Sequence, residues 1–192
     1  MNSTVWLVAG PVGWLAVALS LALDERRSSN HRAPARVTPA ARRSDELMQI
    51  STAVALAGPV LLALVAQRPV RPLTSFLALG IAFAGVRLRH RAMRSLAGRY
   101  RLTSAAQPDA PALVDRGPYA VIRHPGYAGL VLTFAGLALL AAGPPGLVSV
   151  LPMGFAVLVR IRIEENLLRE EFPQTHTAYL ARVRWRLAPG LY

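Results

Sequence analysis

Residues 117–129 bring together side chains that can bind a ligand or accept a proton. The candidates in this stretch are Tyr119, Arg123, His124, Tyr127 and Gly129. Tyrosine faces attract cations, a guanidinium can grip a carboxylate through two hydrogen bonds, and a histidine can take a proton. A purely structural interpretation also exists, because proline favours a helix start, tyrosine anchors membrane interfaces and arginine marks the inner side.

A second stretch, residues 160–165, contains an arginine and a pair of acids, Arg160, Glu164 and Glu165. Carboxylates suit a positively charged ligand, and the arginine suits an anionic one. The structural alternative is a solvated helix face on which Arg160 and Glu164 pair at the spacing i, i+4.

The spacing between the two stretches predicts that they meet. Thirty-four residues separate Gly129 from Glu164, about what a short membrane hairpin needs to go out, turn and return. We therefore expect the two acids to lie at the same membrane face as His124 and Tyr127. Ionisable groups that face a bundle interior at this boundary are candidates for function.

Composition places the chain in a membrane. It has 192 residues, 22 basic against 10 acidic side chains, a net charge of +12 and 53% apolar residues. The charges and the apolar residues form separate blocks, which excludes an ordinary soluble nucleic-acid binder and intrinsic disorder. Without cysteine there is no disulfide scaffold and no thiolate site. We predict no metal site, because His31 and His90 lack partners at metal-binding spacing.

Apolar runs predict an all-α, polytopic membrane protein with about five transmembrane helices in one domain, residues 1–192. The polar segment 28–43 is expected to be a loop, with the second helix starting at Asp45-Glu46. The third helix should continue to the breaker at Gly98, and spans four and five should form a short hairpin around residues 143–146, followed by a cytoplasmic helical tail to Leu180. The predicted spans are Val5–Leu23, Leu47–Ala66, Leu73–Val86, Tyr127–Ala142 and Leu147–Val159.

Arginine distribution orients these spans. Six arginines lie between spans one and two, eight between spans three and four, and six after span five, against two on the opposite side. The positive-inside rule then places the N-terminus outside and the C-terminus in the cytoplasm. The expected location is a bacterial inner membrane.

The motif Arg123-His124-Pro125-x-Tyr127-x-Gly129, followed by Arg160-x-x-x-Glu164-Glu165, resembles the isoprenylcysteine carboxyl methyltransferase family, which is related to phospholipid N-methyltransferases. The similarity covers roughly residues 79–189. It implies an integral membrane enzyme that transfers a methyl group from S-adenosylmethionine to a lipophilic acceptor, with the catalytic part at about residues 87–192.

The resemblance also implies roles for individual residues. His124 and Tyr127 would contact the cofactor, with Tyr119, Arg123 and Gly129 shaping its pocket. The acids Glu164 and Glu165 would hold its charged end or its ribose, and Arg160 would orient an anionic acceptor. Arg160 and Glu164 are therefore the predicted catalytic pair, and Glu165 belongs to the cofactor site.

The tail departs from the family pattern, and the acceptor stays open. His176 stands where the family has a tyrosine, and we expect it to be a surface residue; Arg184 replaces a proline. An isoprenylcysteine-like carboxylate would need no base, whereas an amine or thiol would give a proton to His124 or Glu164. Membrane lipids are expected partners and nucleic acid is not. The alternatives are an NADPH-dependent membrane reductase and a non-catalytic membrane protein.

Overall fold

The computed structural model describes residues 38–66, 72–96 and 113–190, and its ordered elements are all helices. Short 3₁₀ helices at Gly117–Ala120 and Pro144–Val150 precede two of the α-helices. No strand occurs within the described ranges, which confirms the predicted all-α class there. The predicted span Val5–Leu23 lies outside them. The α-helices are α1 (Pro39–Ala66), α2 (Pro72–Leu96), α3 (Pro125–Ala142), α4 (Leu151–Glu171) and α5 (Pro173–Arg182).

Helix α1 begins within the segment 28–43 that was expected to be a loop; residues 28–37 of that segment lie outside the described ranges. This helix begins at Pro39, so that Asp45 lies in its second turn and does not start it. Proline suits the first helical position because its fixed φ is helical and its missing N–H would have no partner there. Thr38 Oγ1 accepts a hydrogen bond from the backbone N–H of Ala41 at 3.2 Å, which caps the first turn.

Helix α2 runs from Pro72 to Leu96, as predicted from the absence of a breaker before Gly98. Three of the four arginines near its end, Arg87, Arg91 and Arg94, are exposed. The fourth, Arg89, is buried at 4% exposure, and its Nη1 donates to the carbonyl oxygen of Gly126 at 3.2 Å. This arginine ties α2 to the start of α3.

The connection between α3 and α4 turns where predicted, but the α-helix that follows begins later than expected. The chain turns at Gly143, whose φ is +67°, and then forms the 3₁₀ helix up to Val150 before α4 begins at Leu151. An α-helix from Leu147 would need an N–H at Pro152, which proline lacks. With the start at Leu151, Pro152 falls in the first turn, where no N–H is required. Helix α4 then continues past the predicted end of the span at Val159 into the tail.

The tail is helical as predicted, with one interruption. Helix α4 ends at Glu171, and α5 begins at Pro173, after Phe172 adopts non-helical angles. A residue before proline is disfavoured in the α-helical conformation, which explains the break.

Glycines allow α2 and α3 to pack backbone against backbone. A Cβ added to Gly85 would lie 2.5 Å from the backbone nitrogen of Thr133, and one on Gly129 would lie 2.6 Å from that of Arg89. Small residues at such interfaces let helices approach closely within a bilayer. Helix α3 therefore packs mainly on α2, and α4 packs mainly on α1.

Side chains fill the space between α3 and α4. The cluster includes Tyr127 and Phe134 of α3 and Met153, Val157 and Ile161 of α4. The predicted hairpin thus returns as expected, but its two helices meet through side chains in the core, while their backbones pack on other helices.

Three of the described segments are long and apolar enough to cross a membrane: Pro39–Val65, Pro125–Ala142 and Pro144–Glu171. Within the described ranges, helix α2 is not among these segments, because its arginines make it less apolar. Large apolar side chains on α1 and α2 are exposed, as expected of surfaces that face lipid; they include Ile50, Leu61, Leu64, Val65, Leu73, Phe76 and Phe83. The number of spans and their orientation stay predictions.

Substituting Gly136 by alanine should weaken the contact between α2 and α3. The new Cβ would lie 2.6 Å from the carbonyl oxygen of Ala78, and backbone atoms cannot move aside cheaply. We expect a loss of about 1–3 kcal/mol, measured by thermal unfolding in detergent. The matched control is Gly154→Ala in α4, where the Cβ meets no atom within 4 Å. That variant should be neutral or more stable; equal losses in both variants would contradict the packing argument.

Candidate functional site

The first motif is held between α2 and α3. Gly117 has a φ of +62°, and a Cβ there would lie 2.7 Å from Ser95 Oγ at the end of α2. His124 is the last residue before α3, and Pro125 occupies the first helical position. Tyr127 follows within the first turn, so that the rings of His124 and Tyr127 lie 6.0 Å apart at an interplanar angle of 25°.

The structure brings the two predicted stretches together. Helix α4 returns Glu164 and Glu165 to the start of α3, where the His124 ring lies between them. Its Nδ1 is 3.7 Å from Glu164 Oε2, and its Nε2 is 3.4 Å from Glu165 Oε1. The hairpin length alone predicted this meeting.

The ion pairs of this site form a charged cluster, whose members are Asp45, Arg123, His124, Arg160, Glu164, Glu165 and Arg186. Arg160 lies in one half of this cluster. Its guanidinium is buried, with 4% of the side chain exposed. The Nε atom donates to the Tyr127 hydroxyl at 2.7 Å and lies 3.5 Å from Glu164 Oε1. Tyr127 in turn donates its hydroxyl hydrogen to Glu164. Nη1 donates to Asp45 Oδ1 at 2.5 Å.

Glu165 forms the other half and is buried at 4% exposure. Arg123 Nη1 donates to its Oε1 at 2.7 Å. Arg186 donates to both oxygens, from Nε at 3.0 Å and from Nη2 at 2.9 Å to Oε2, with a longer bond to Oε1. This carboxylate is therefore surrounded by cationic groups, whereas Glu164 keeps 28% of its side chain exposed.

The segment after α5 completes the first motif. The backbone N–H of Arg123 donates to the carbonyl of Trp185, and that of His124 donates to the carbonyl of Arg186, both at 2.9 Å. Arg123 Nη2 also donates to the carbonyl of Arg184 at 3.0 Å. Residues 184–186 thus hold the motif through backbone and side-chain bonds at once.

Two other predicted cofactor residues, Tyr119 and Gly129, have contacts with α5 and α2. The Tyr119 carbonyl accepts a hydrogen bond from the Tyr179 hydroxyl at 2.8 Å, and burial raises the pKa of Tyr179 to about 12. Gly129 faces the α2 backbone at Arg89 and Gly85. In the structure Gly129 therefore has a packing role, and its predicted place beside a cofactor stays a prediction.

Sequence analysis missed three side chains at or next to the cluster: Asp45, Arg89 and Arg186. Asp45 carried a signal, an acid among arginines, which was interpreted as a helix start. Arg89 was counted only among the arginines between spans three and four. Arg186 carried no signal, because nothing in the order of residues 183–189 shows that this side chain points back to α4.

The prediction that His176 is a surface residue is wrong. Its exposure is 1%, and its Nδ1 has no hydrogen-bond partner among the described residues. Burial lowers the pKa of this imidazole below its usual value, because the charged form cannot be solvated. Helix α5 turns this residue inward together with Tyr179, three positions further along the same face.

Comparison with known families agrees with this geometry. The family model described as phospholipid methyltransferase matches residues 73–175, more than half of the chain. The chain belongs to the phospholipid methyltransferase family. Isoprenylcysteine carboxyl methyltransferases belong to the same family, so the resemblance inferred from the motifs is confirmed at that level. A search of curated proteins finds no match.

The family match covers both motifs but not every residue of the cluster. It includes α2, the 117–129 stretch, α3 and α4, and it ends within α5. Asp45 and Arg186, which bind Arg160 and Glu165, lie outside the region that marks this chain as a methyltransferase family member. Among the described residues, no group of three or more histidine, aspartate or glutamate side chains could hold a metal ion.

Replacing Glu165 by glutamine should loosen the contact of residues 184–186 with the charged cluster. The arginines would lose their charged acceptor, at a cost of about 1.5–3 kcal/mol for each strong bond. We expect faster trypsin cleavage after Arg184 and Arg186, followed by mass spectrometry. The neighbouring variant Glu164→Gln is the control and should keep the segment protected. Equal protection of the Glu165 variant and wild type would show that the carboxylate does not hold the segment.

His176 should make folding sensitive to acid. The folded pKa is depressed, so stability is complete above the unfolded value near 6.5 and is lost as the pH falls below it. Between about pH 8 and pH 5.5 the unfolding temperature of wild type should therefore fall further than that of His176→Phe, which has no titrating group. Scanning calorimetry or fluorescence in detergent measures both. An equal fall in the two proteins would contradict a buried, neutral imidazole.

Proposed function

We propose that the chain is an S-adenosylmethionine-dependent methyltransferase that acts at the cytoplasmic membrane face on a lipophilic acceptor. The observation that carries the proposal is the convergence of the two motifs: His124 bridges Glu164 and Glu165, and Tyr127 joins Arg160 to Glu164. Family membership supplies the reaction class. The cytoplasmic placement rests on the arginine distribution.

The residues of the cluster fit the chemistry of the proposed cofactor. S-adenosylmethionine carries a sulfonium, an ammonium and a carboxylate, and it supplies a methyl group activated by the positive sulfur. Glu164 is partly exposed and can face a cation, and the rings of His124 and Tyr127 can lie against it. Arg123, which is bonded to Glu165 and to the carbonyl of Arg184, shapes the wall of the same site.

In our proposal, Glu165 supports the cofactor site indirectly. Its carboxylate already compensates two guanidiniums, so its direct value for a cationic ligand is reduced. It instead fixes Arg123 and the residues that follow α5, and through them the walls of the cofactor site. Fixed positions matter because methyl transfer needs alignment of the reacting atoms more than it needs acid or base chemistry.

The acceptor side of the proposed site is built on Arg160 and Glu164. The family resemblance implies an anionic, isoprenylcysteine-like carboxylate or a related lipid. A carboxylate acceptor has no proton to lose, whereas an amine or a thiol would give one, and Glu164 is the partly exposed acid beside Tyr127. The exposed apolar surfaces of α1 and α2 support delivery of a lipophilic acceptor from the bilayer.

Binding of S-adenosylmethionine is the decisive measurement. We expect the protein in phosphatidylcholine nanodiscs to bind it in calorimetry, and Glu164→Gln to weaken binding by about tenfold or more, because a charge-assisted contact is lost. His124→Ala should also weaken binding through the lost ring. Glu170→Gln, an exposed acid further along α4, is the matched control and should bind like wild type.

The outcomes separate the alternatives. Well-folded wild type that fails to bind S-adenosylmethionine would refute the proposal, and binding of NADPH instead would favour a membrane reductase. Transfer of labelled methyl groups to isoprenylcysteine analogues, phosphatidylethanolamine and lipophilic thiols then identifies the acceptor class.

A further inference from the structure

Asp45 reaches the charged cluster from a helix that the family match does not include. It lies in the second turn of α1, and the match begins at residue 73. Its Oδ1 accepts a hydrogen bond from Arg160 Nη1 at 2.5 Å. The contact joins residues far apart in the sequence and fixes the start of α1 against α4.

This contact is unlike an ordinary surface ion pair. The Arg160 side chain is 4% exposed, whereas that of Asp45 is 20% exposed. Asp45 is therefore the more exposed partner of the pair. Its charged neighbours Arg42, Arg43 and Glu46 are exposed, so Asp45 is the charged residue of this part of α1 that faces inward. A pair with a buried partner is far less screened than a surface pair.

Asp45 changes the net charge of the side chains around Arg160, where the proposed acceptor would bind. Arg160 carries one positive charge, and the carboxylates of Asp45 and Glu164 carry two negative charges within hydrogen-bond or ion-pair distance of it. These three side chains together are net negative. A carboxylate that approached Nη1 would have to displace Asp45 and would lie close to Glu164.

We propose that Asp45 determines acceptor specificity by occupying Nη1 of Arg160, so that the site disfavours acceptors ending in a carboxylate and favours lipophilic acceptors whose polar end is neutral or cationic. The Asp45 carboxylate takes the position that the carboxylate of an anionic acceptor would need. An ammonium or hydroxyl group, by contrast, can approach Glu164 and Asp45 without repulsion. Like-charge contacts of this kind are a common way to reject a wrong partner.

The inference rests on the proposed function for the presence of an acceptor at Arg160. Its test therefore measures ligand binding without a methyl donor. Three probes share one apolar chain and differ in the polar end: decanoate, decylamine and decanol. Each is titrated by calorimetry into the protein in phosphatidylcholine nanodiscs near pH 7.5, where the acid is anionic and the amine cationic. Empty nanodiscs give the correction for partition into lipid.

Wild type should bind decylamine and decanol more tightly than decanoate, by about fivefold or more. In Asp45→Asn the affinity for decanoate should rise and that for decylamine should fall, which changes their ratio by about tenfold. Asp45→Glu keeps the charge and should keep the wild-type order. The matched control is Asp115→Asn, which removes an acid paired with Arg182 at 2.6 Å outside the cluster.

Each outcome decides the proposal. Tighter binding of decanoate than of decylamine by wild type would overturn it, even if no variant folds. A ratio in Asp45→Asn within about twofold of wild type would also overturn it, as would an equal change in Asp115→Asn. Binding of S-adenosylmethionine by the same samples is recorded separately, so that failure of the proposed methyltransferase function is distinguished from failure of this specificity.

Discussion

The ion pairs of one buried carboxylate, that of Glu165, organise the charged cluster. Glu165 is almost removed from water, and a carboxylate in that position must be compensated by cations and hydrogen-bond donors. Arg123, His124 and Arg186 provide them from two segments distant in sequence. Those segments also bond to each other through their backbones, so Glu165 reinforces a contact between the loop before α3 and the chain after α5.

The two neighbouring glutamates consequently differ in what they can do. Glu165 is enclosed by protein cations, and Glu164 keeps part of its surface open beside the rings of His124 and Tyr127. Glu165 stabilises the contact between segments, whereas Glu164 remains accessible from outside the protein. A helix presents successive residues about 100° apart, which is how adjacent positions acquire such different surroundings. The same helix places Arg160 one turn earlier, against α1.

Sequence patterns predicted the features that depend on local chemistry. Apolar runs located the long helices of the described ranges, the absence of a breaker predicted that α2 continues past Val86, and the hairpin length predicted that the two motifs meet. Features that depend on distant partners were not predictable: periodicity indicates that a residue faces inward, but not what it finds there. The burial of His176, the contact of Arg186 with Glu165 and that of Asp45 with Arg160 are of this kind. The predicted starts of α1 and α4 were wrong for local reasons, because Pro39 and Pro152 favour the first turn of a helix.

The backbone contact between α2 and α3 limits the routes by which lipid can reach the cluster. Gly85 and Gly129 bring the two helices so close that even one added carbon atom would overlap the opposite main chain. An acyl or isoprenoid chain is thicker than a single carbon, so it cannot slip between these helices without separating them. Under the proposed function, a lipophilic acceptor from the bilayer would therefore reach Arg160 around this pair, because α2 and α3 close one side of the bundle.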